Sequence, residues 1–341
     1  MDAIGDFGAR AVGKLLFGAP LNILMYHGVV ETPPALFDWC FLDVDRFAAQ
    51  MAWLAAQPVE VRPLGEAVSD LRAGRLRRPT VALTFDDGYR NNVEVALPVL
   101  ARHGLPATIF LTTGFVGGAK ALWASRVALA VDASERARLT WRGHGYALAT
   151  AAERAATSAA LQEVIKARAG GDPGAAVGEL EAALGVPIDP DVPRHSPFAP
   201  MDAADIAAAR ASGLVDFGAH TVTHPILAQL EDGALAAEID GSVRAVAELT
   251  GEPCRAFAYP NGRPVDWDER AVARLAQAGV TAAVSTVQRP NWPTADPLRL
   301  ARWGVGADMS LRRFRATVHN VHPAALRALP ARAGSEIGRA S

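Results

Sequence analysis

The stretch Thr80–Asn92, TVALTFDDGYRNN, decides the fold. A run of β-formers from Val81 to Phe85 stops at two adjacent carboxylates, Asp86 and Asp87. Gly88 then permits a tight turn, and Asn91 or Asn92 can cap a following helix. This describes a buried strand that delivers two acids to its C-terminal end. Neighbouring side chains diverge along a strand, so the two acids cannot share one task. One can hold a metal ion while the other works as a base. The same residues also fit a plain capped turn, because Asp-Gly is common turn chemistry, and the rest of the chain has to decide.

Moving outward, the same rhythm repeats. Leu21–Tyr26 (LNILMY) reads as a strand that ends at His27. Further strands are expected at Val59–Val61, Pro106–Leu111, Leu214–Ala219, Arg255–Tyr259, Val280–Ser285 and Leu298–Trp303. Helices are expected at Asp43–Gln57, with Asp43 or Asp45 as cap, at Leu64–Leu71, and at Asn92–His103, stopped by Gly104. Leu235–Leu249, Asp266–Ala278 and the tail Ser310–Leu329 complete the helical set. Alternating strands and helices argue for a parallel sheet with crossover helices. Seven or eight such units point to a closed or nearly closed α/β barrel, whose chemistry collects at the C-terminal strand ends. Residues from about 120 to 211 break the rhythm: they are alanine-rich and mostly helical, with breaks at Gly143–Gly145, Gly170–Gly174 and Pro187–Pro200. They are expected as a helical insertion, with solvent-facing helices, in one domain spanning 21–341. Residues 1–20 are expected as an N-terminal helix or extension.

Composition sets the outer limits. With 50% apolar and 21% charged residues over 341 positions, a large core is available and global disorder is excluded. A net charge of −2 gives no basis for nucleic-acid binding. The two cysteines, Cys40 and Cys254, form no CxxC pair and read as core thiols rather than a disulfide. Leu15–Val30 is apolar, but Asp2 and Asp6 spoil a basic leader, and Gly18, Pro20 and Asn22 interrupt the run. A cytoplasmic or membrane-associated protein is therefore expected, with Ala3–Phe17 available for peripheral membrane contact. Oligomeric state is not legible.

The polar clusters fall at strand ends. His27 follows the first strand, Asp86 and Asp87 follow the strand Val81–Phe85, His220 and His224 follow LVDFGA, and Tyr259-Pro260-Asn261-Gly262 follows RAFA. His220 and His224 are spaced i, i+4, which on a helical turn puts both imidazoles on one face. Pro225 suits a helix start, so a strand-to-helix turn is expected there. Two histidines at a helix N-terminus can also be plain polar residues. With a carboxylate from another strand end, however, they make a two-His, one-acid set for one divalent ion. Zn²⁺ comes first, and Co²⁺, Ni²⁺, Mn²⁺ or Fe²⁺ accept similar ligands.

LTFDDGYRNN, HTVTH and FAYPNG, in this order, resemble the NodB-homology polysaccharide deacetylases, carbohydrate esterase family 4. The resemblance spans roughly Leu21–Gly306 outside the helical segment. It implies a distorted (β/α)₇ barrel and metal-dependent removal of N- or O-acetyl groups from sugars, most often N-acetylglucosamine polymers. Carried over by position, it implies Asp86 as base and Asp87, His220 and His224 as metal ligands. A backbone N–H at Asn261 is the expected oxyanion donor, with Tyr259 beside it. Two departures stand out. Ala258 falls where many members carry an arginine that orients the base, leaving Arg255, Arg299 and Arg302 as candidates. The late leucine-x-histidine motif is matched poorly, by His319 alone. The opening ILMYHGV resembles instead the poly-N-acetylglucosamine deacetylase branch, where the motifs are circularly permuted, and this makes His27 the expected general acid. Trp123, Trp141, Trp267, Trp292 and Trp303 are candidates for stacking on sugar, with Trp292 and Trp303 best placed. The rivals are a hydrolase of another C–N bond in a small amide and a catalytically silent carbohydrate-binding protein.

Overall fold

The computed structural model describes residues 19–168 and 172–320. Seven parallel strands curl around one core: β1 (Leu21–Tyr26), β2 (Thr80–Phe85), β3 (Ala107–Leu111), β4 (Val215–Ala219), β5 (Ala256–Ala258), β6 (Ala282–Val284) and β7 (Trp303–Gly304). Strands β1 to β6 neighbour one another in chain order, and β7 returns to pair with β1. A single parallel bridge, Val284 to Leu300, connects β6 to the segment leading into β7 and closes the ring. Both β1 and β2 are buried at every position, as expected for apolar runs covered on both faces.

Register fixes the rim. Tyr26 pairs with Phe85, Phe85 with Ile109, Leu111 with Ala219, and Ala219 with Phe257. The residues that follow these ends, His27, Asp86, His220 and Tyr259, therefore emerge at one end of the barrel.

The helices that cover the strands are α1 (Val44–Ala55), α2 (Leu64–Arg72), α3 (Leu97–His103), α7 (Ala203–Ala211), α8 (Asp232–Thr250), α9 (Glu269–Gln277) and α10 (Leu311–Val318). Asp43 caps α1 by accepting from the Asp45 and Arg46 N–H groups, and Gly104 ends α3 in the left-handed region. The helix after β2 opens with a π-helical stretch, Asn92–Ala96, and neither asparagine caps it. Their side chains tie loops instead: Asn91 accepts from the Val29 N–H, and Asn92 donates to the His27 carbonyl.

Between β3 and β4 the chain forms α4 (Trp123–Ala133), a hairpin of Arg138–Trp141 with His144–Ala147, α5 (Ala151–Arg168) and α6 (Pro173–Leu184). The glycine break near 143 is the turn of that hairpin. These helices are not merely solvent-facing. Val127, Leu161, Ile165, Val177 and Leu180 are fully buried in a second hydrophobic cluster, which also takes in Val30, Phe41, Tyr89 and Phe115 from the barrel loops. The proposed N-terminal helix, its membrane contact, and the tail beyond 320 lie outside the described residues. Among the described residues, no helix is long and apolar enough to cross a membrane. Cys40 and Cys254 are free thiols.

Candidate active site

Asp86 and Asp87 diverge at the end of β2, as strand geometry requires. Asp86 meets Arg302, whose Nη1 and Nη2 donate to the two carboxylate oxygens at 2.7 Å each. Arg302 is itself fully buried and donates from Nε to the Ser285 carbonyl at 3.0 Å. Burial pushes the Asp86 pKa up, but the Arg302 guanidinium outweighs it and holds the carboxyl at about 2. Of the three candidate arginines, Arg302 is thus the one that meets Asp86. Arg299 pairs instead with Glu269 and Asp296 at the exposed edge, and Arg255 is exposed.

Asp87 turns the other way because its backbone is left-handed, with φ 78°. Gly88 continues the bend at φ 85°, where a Cβ would strike Leu111. The Asp87 Oδ1 atom lies 3.6 Å from Nε2 of His220 and 3.6 Å from Nε2 of His224. It is buried with no hydrogen-bond partner among the described residues. Burial, and then the charge on Asp86, raises the Asp87 pKa to about 8.

The histidine pair does not sit on a helical turn, contrary to the reading of its i, i+4 spacing. Thr221 (φ 65°) and His224 (φ 61°) are left-handed, so the loop curls back on itself and no helix starts at Pro225. Glu238 holds the curl by accepting from the Val222 and Thr223 N–H groups and the Thr223 hydroxyl. Four of the non-glycine left-handed residues, Asp87, Thr221, His224 and Asn261, sit at this one site. Such strain persists only where surrounding contacts enforce it. His220 Nδ1 is 2.7 Å from the Ala258 carbonyl, which assigns its proton to Nδ1 and leaves the Nε2 lone pair facing Asp87. Burial lowers the pKa of both histidines. Three acceptors therefore converge within 4.8 Å. Without a cation they repel. Ligands 2.0–2.1 Å from a tetrahedral ion stand roughly 3.3–3.4 Å apart, close to the two 3.6 Å separations between Asp87 and the histidines, so the donor set suits a divalent ion.

The sequence signature described as polysaccharide deacetylase matches residues 73–171 and 188–283, more than half of the chain. The chain belongs to the polysaccharide deacetylase family. A putative polysaccharide deacetylase of Bacillus subtilis, YxkH, is 33% identical over 102 residues, 29% of this chain and 34% of that protein. A poly-β-1,6-N-acetyl-D-glucosamine N-deacetylase of Staphylococcus aureus is 32% identical over 72 residues, 21% of this chain and 25% of that protein. The matched stretches thus span about a third or less of these relatives. Among solved structures, the Streptococcus pyogenes deacetylase PplD in complex with acetate superposes with a TM-score of 0.59 at 18% identity, covering 88% of this chain and 98% of that one. IcaB from Ammonifex degensii gives 0.57 at 21% identity, covering 89% and 98%. At these identities the superpositions establish the barrel.

The remaining candidate residues fall in and out of a cavity of about 110 Å³ lined by Asp86, Asp87 and both histidines. His27 lines it, packs edge-on against Trp39, and has a buried Nδ1 without a partner among the described residues. Burial, partly opposed by Asp86, lowers its pKa to about 4. Asn261 lines the cavity with its side chain turned away to Asp266 at 2.7 Å, and its N–H makes no hydrogen bond to another described residue. Tyr259 forms a wall but offers no free donor. Its hydroxyl donates to the Leu298 carbonyl and its N–H to the Val284 carbonyl. His319 is exposed at the end of α10 against Trp53, outside this cavity. Of the tryptophans, Trp123 lines the cavity and donates to the His224 carbonyl at 3.0 Å. Trp292 and Trp303 do not line it. Trp39, which sequence reasoning missed, does, and it stays 42% exposed. Its only sequence signal was its place in the loop after β1.

Proposed function

We propose that this chain is a metal-dependent hydrolase that removes N-acetyl or O-acetyl groups from a carbohydrate, with an N-acetylglucosamine-containing glycan as substrate. One observation carries the reading: a carboxylate held ionised by Arg302 stands beside an unpaired Asp87–His220–His224 acceptor set. A sugar-binding protein has no use for that neighbourhood. The family and the S. aureus relative's name support the sugar amide as target. We read residue 21 onward as one barrel carrying residues of about 120–211 as an insertion, because β3 pairs directly with β4 across it.

Asp87, His220 and His224 would hold one divalent ion, Zn²⁺ in our reading. When bound it would polarise the acetyl carbonyl and acidify water. Asp86 accepts a proton from the attacking water, and Arg302 keeps its carboxylate ionised and aimed. The Asn261 N–H points its dipole at the developing oxyanion. His27 protonates the leaving amine. With a pKa lowered by burial it is neutral at rest. The proton it passes on is therefore one it takes from solvent as negative charge builds beside it, and Asp86 releases the water's proton to solvent at the end of the cycle. The small cavity favours one second reading, hydrolysis of a small-molecule amide.

Acetate release by the metal-loaded protein from N-acetylated oligosaccharides, against a panel of small amides, separates these readings. His220→Ala should fold but lose most bound metal and turnover. Stoichiometric metal in that variant, by elemental analysis, would rule out the ligand set.

A further inference from the structure

The helical segment between β3 and β4 forms part of the cavity wall. Gln162 and Lys166 of α5 both line the cavity. They are four residues apart and share one helical face. Their neighbours Leu161 and Ile165 are fully buried in the hydrophobic cluster between the segment and the barrel loops, so packing alone does not require polar groups beside them. The helix is fixed to the rim from two sides. Gln229, in the loop after His224, donates to the Lys166 carbonyl at 2.7 Å. Arg263, two residues after Asn261, reaches Glu163 at 3.1 Å. The loops that carry a metal ligand and the proposed oxyanion donor thus set the position of α5. Among the described residues Lys166 uses one donor, on Glu163 at 2.8 Å, and keeps two. The Gln162 amide both donates and accepts. The chemistry described above uses neither residue.

We propose that Gln162 and Lys166 recognise the substrate by hydrogen-bonding the hydroxyls of the sugar that carries the acetyl group. This rests on the deacetylase reading. A cavity of about 110 Å³ is well below the roughly 300 Å³ at which pockets enclose a drug-sized ligand. It holds the acetyl group and the near edge of one ring, and the two side chains meet that edge. Sugar hydroxyls need both donors and acceptors, which this pair supplies. Sites built around such bonds discriminate strongly against analogues that lack the hydroxyl.

The test compares kcat/KM for a short N-acetylglucosamine oligomer with kcat/KM for an aryl acetate ester whose leaving group is not a sugar. In Gln162→Ala and Lys166→Met the sugar-to-ester ratio should fall about tenfold each, the effect of losing one good hydrogen bond to substrate. Lys166→Arg should recover most of the loss. Bound metal and melting temperature report whether the fold is intact. An unchanged ratio, or equal losses on both substrates, overturns the proposal. If the wild type releases no acetate at all, the deacetylase reading fails separately. Tryptophan fluorescence titration with the oligomer then still decides whether the two variants weaken sugar binding, and unaltered binding overturns the proposal on its own.

Discussion

Two buried arginines each grip both oxygens of one buried carboxylate, in two different regions of the molecule. On the barrel rim, Arg302 grips both oxygens of Asp86. In the helical segment, Arg126 of α4 grips both oxygens of Glu181 of α6, at 2.9 and 2.6 Å. Each carboxylate is almost wholly out of water. The difference lies in what else the carboxylate meets. Glu181 also accepts from the Asp189 N–H, and Arg126 reaches the Asp189 carboxylate, so that corner is closed. Asp86 opens onto the cavity beside Asp87 and His27. The same bidentate pairing is therefore a cross-link in one place and, in the proposed mechanism, the support of a base in the other. An arginine makes a carboxylate stable, and an open lone pair makes it reactive.

The largest effect should come from breaking the reactive pair. Asp86→Asn keeps the shape and one hydrogen bond to Arg302 but removes the base. Turnover should fall by roughly 10²–10⁴-fold with metal content nearly unchanged. If the variant loses metal instead, the roles of the two acids are exchanged. Breaking the cross-link should act on stability. Arg126→Met leaves Glu181 buried without a counter-charge, which costs about 3–5 kcal/mol. Denaturant unfolding should show that loss, while folded protein keeps its metal. Unchanged stability with lost turnover would erase the distinction between the two pairs.

The barrel half of this contrast was legible in sequence, and the segment half was not. Strands reveal themselves by continuous β-formers, so LNILMY and TVALTF announced buried strands, and their ends announced His27, Asp86 and Asp87. The identity of the positioning arginine was not legible. Arg255 precedes β5 while Arg299 and Arg302 lead into β7, and only the short bridge at Leu300 and the buried turn that follows decide which one points inward. The HTVTH loop was legible as bringing two histidines to one place but not in shape. Nothing in Thr221, a β-branched residue, signals a left-handed backbone; Glu238 on α8 imposes it from far along the chain. The alanine-rich helices carry too little pattern to show which face meets the rim. Gln162 and Lys166 looked like any solvent-facing pair, and Arg126 and Glu181 are 55 residues apart.

Asp87, also buried, pairs with no arginine among the described residues, and this gives the smallest and sharpest test. Its pKa of about 8 in the metal-free protein means that folding favours its protonated form. In the unfolded chain an aspartate ionises near 3.9. Below that pH both states are protonated and Asp87 costs nothing. Between about 4 and about 8 the unfolded chain is ionised and the folded one is not, so stability falls as pH rises. An asparagine cannot ionise and escapes this cost. With a chelator present, Asp87→Asn should therefore melt a few degrees above wild type at pH 8 and together with it at pH 4. Asp86 runs the other way. Its folded pKa of about 2 lies below the unfolded value, so its pairing adds stability above about pH 4 that is lost as pH falls. Asp86→Asn should melt below wild type at pH 8. Metal reverses the order for Asp87: the ion needs the ionised carboxylate, so wild-type affinity should climb by up to tenfold per pH unit towards about 8 and then level off. Wild type should gain strongly in melting temperature on loading, and Asp87→Asn should gain little. If both aspartate variants shift stability in the same direction at pH 8, the division of labour between the paired and the unpaired acid is wrong.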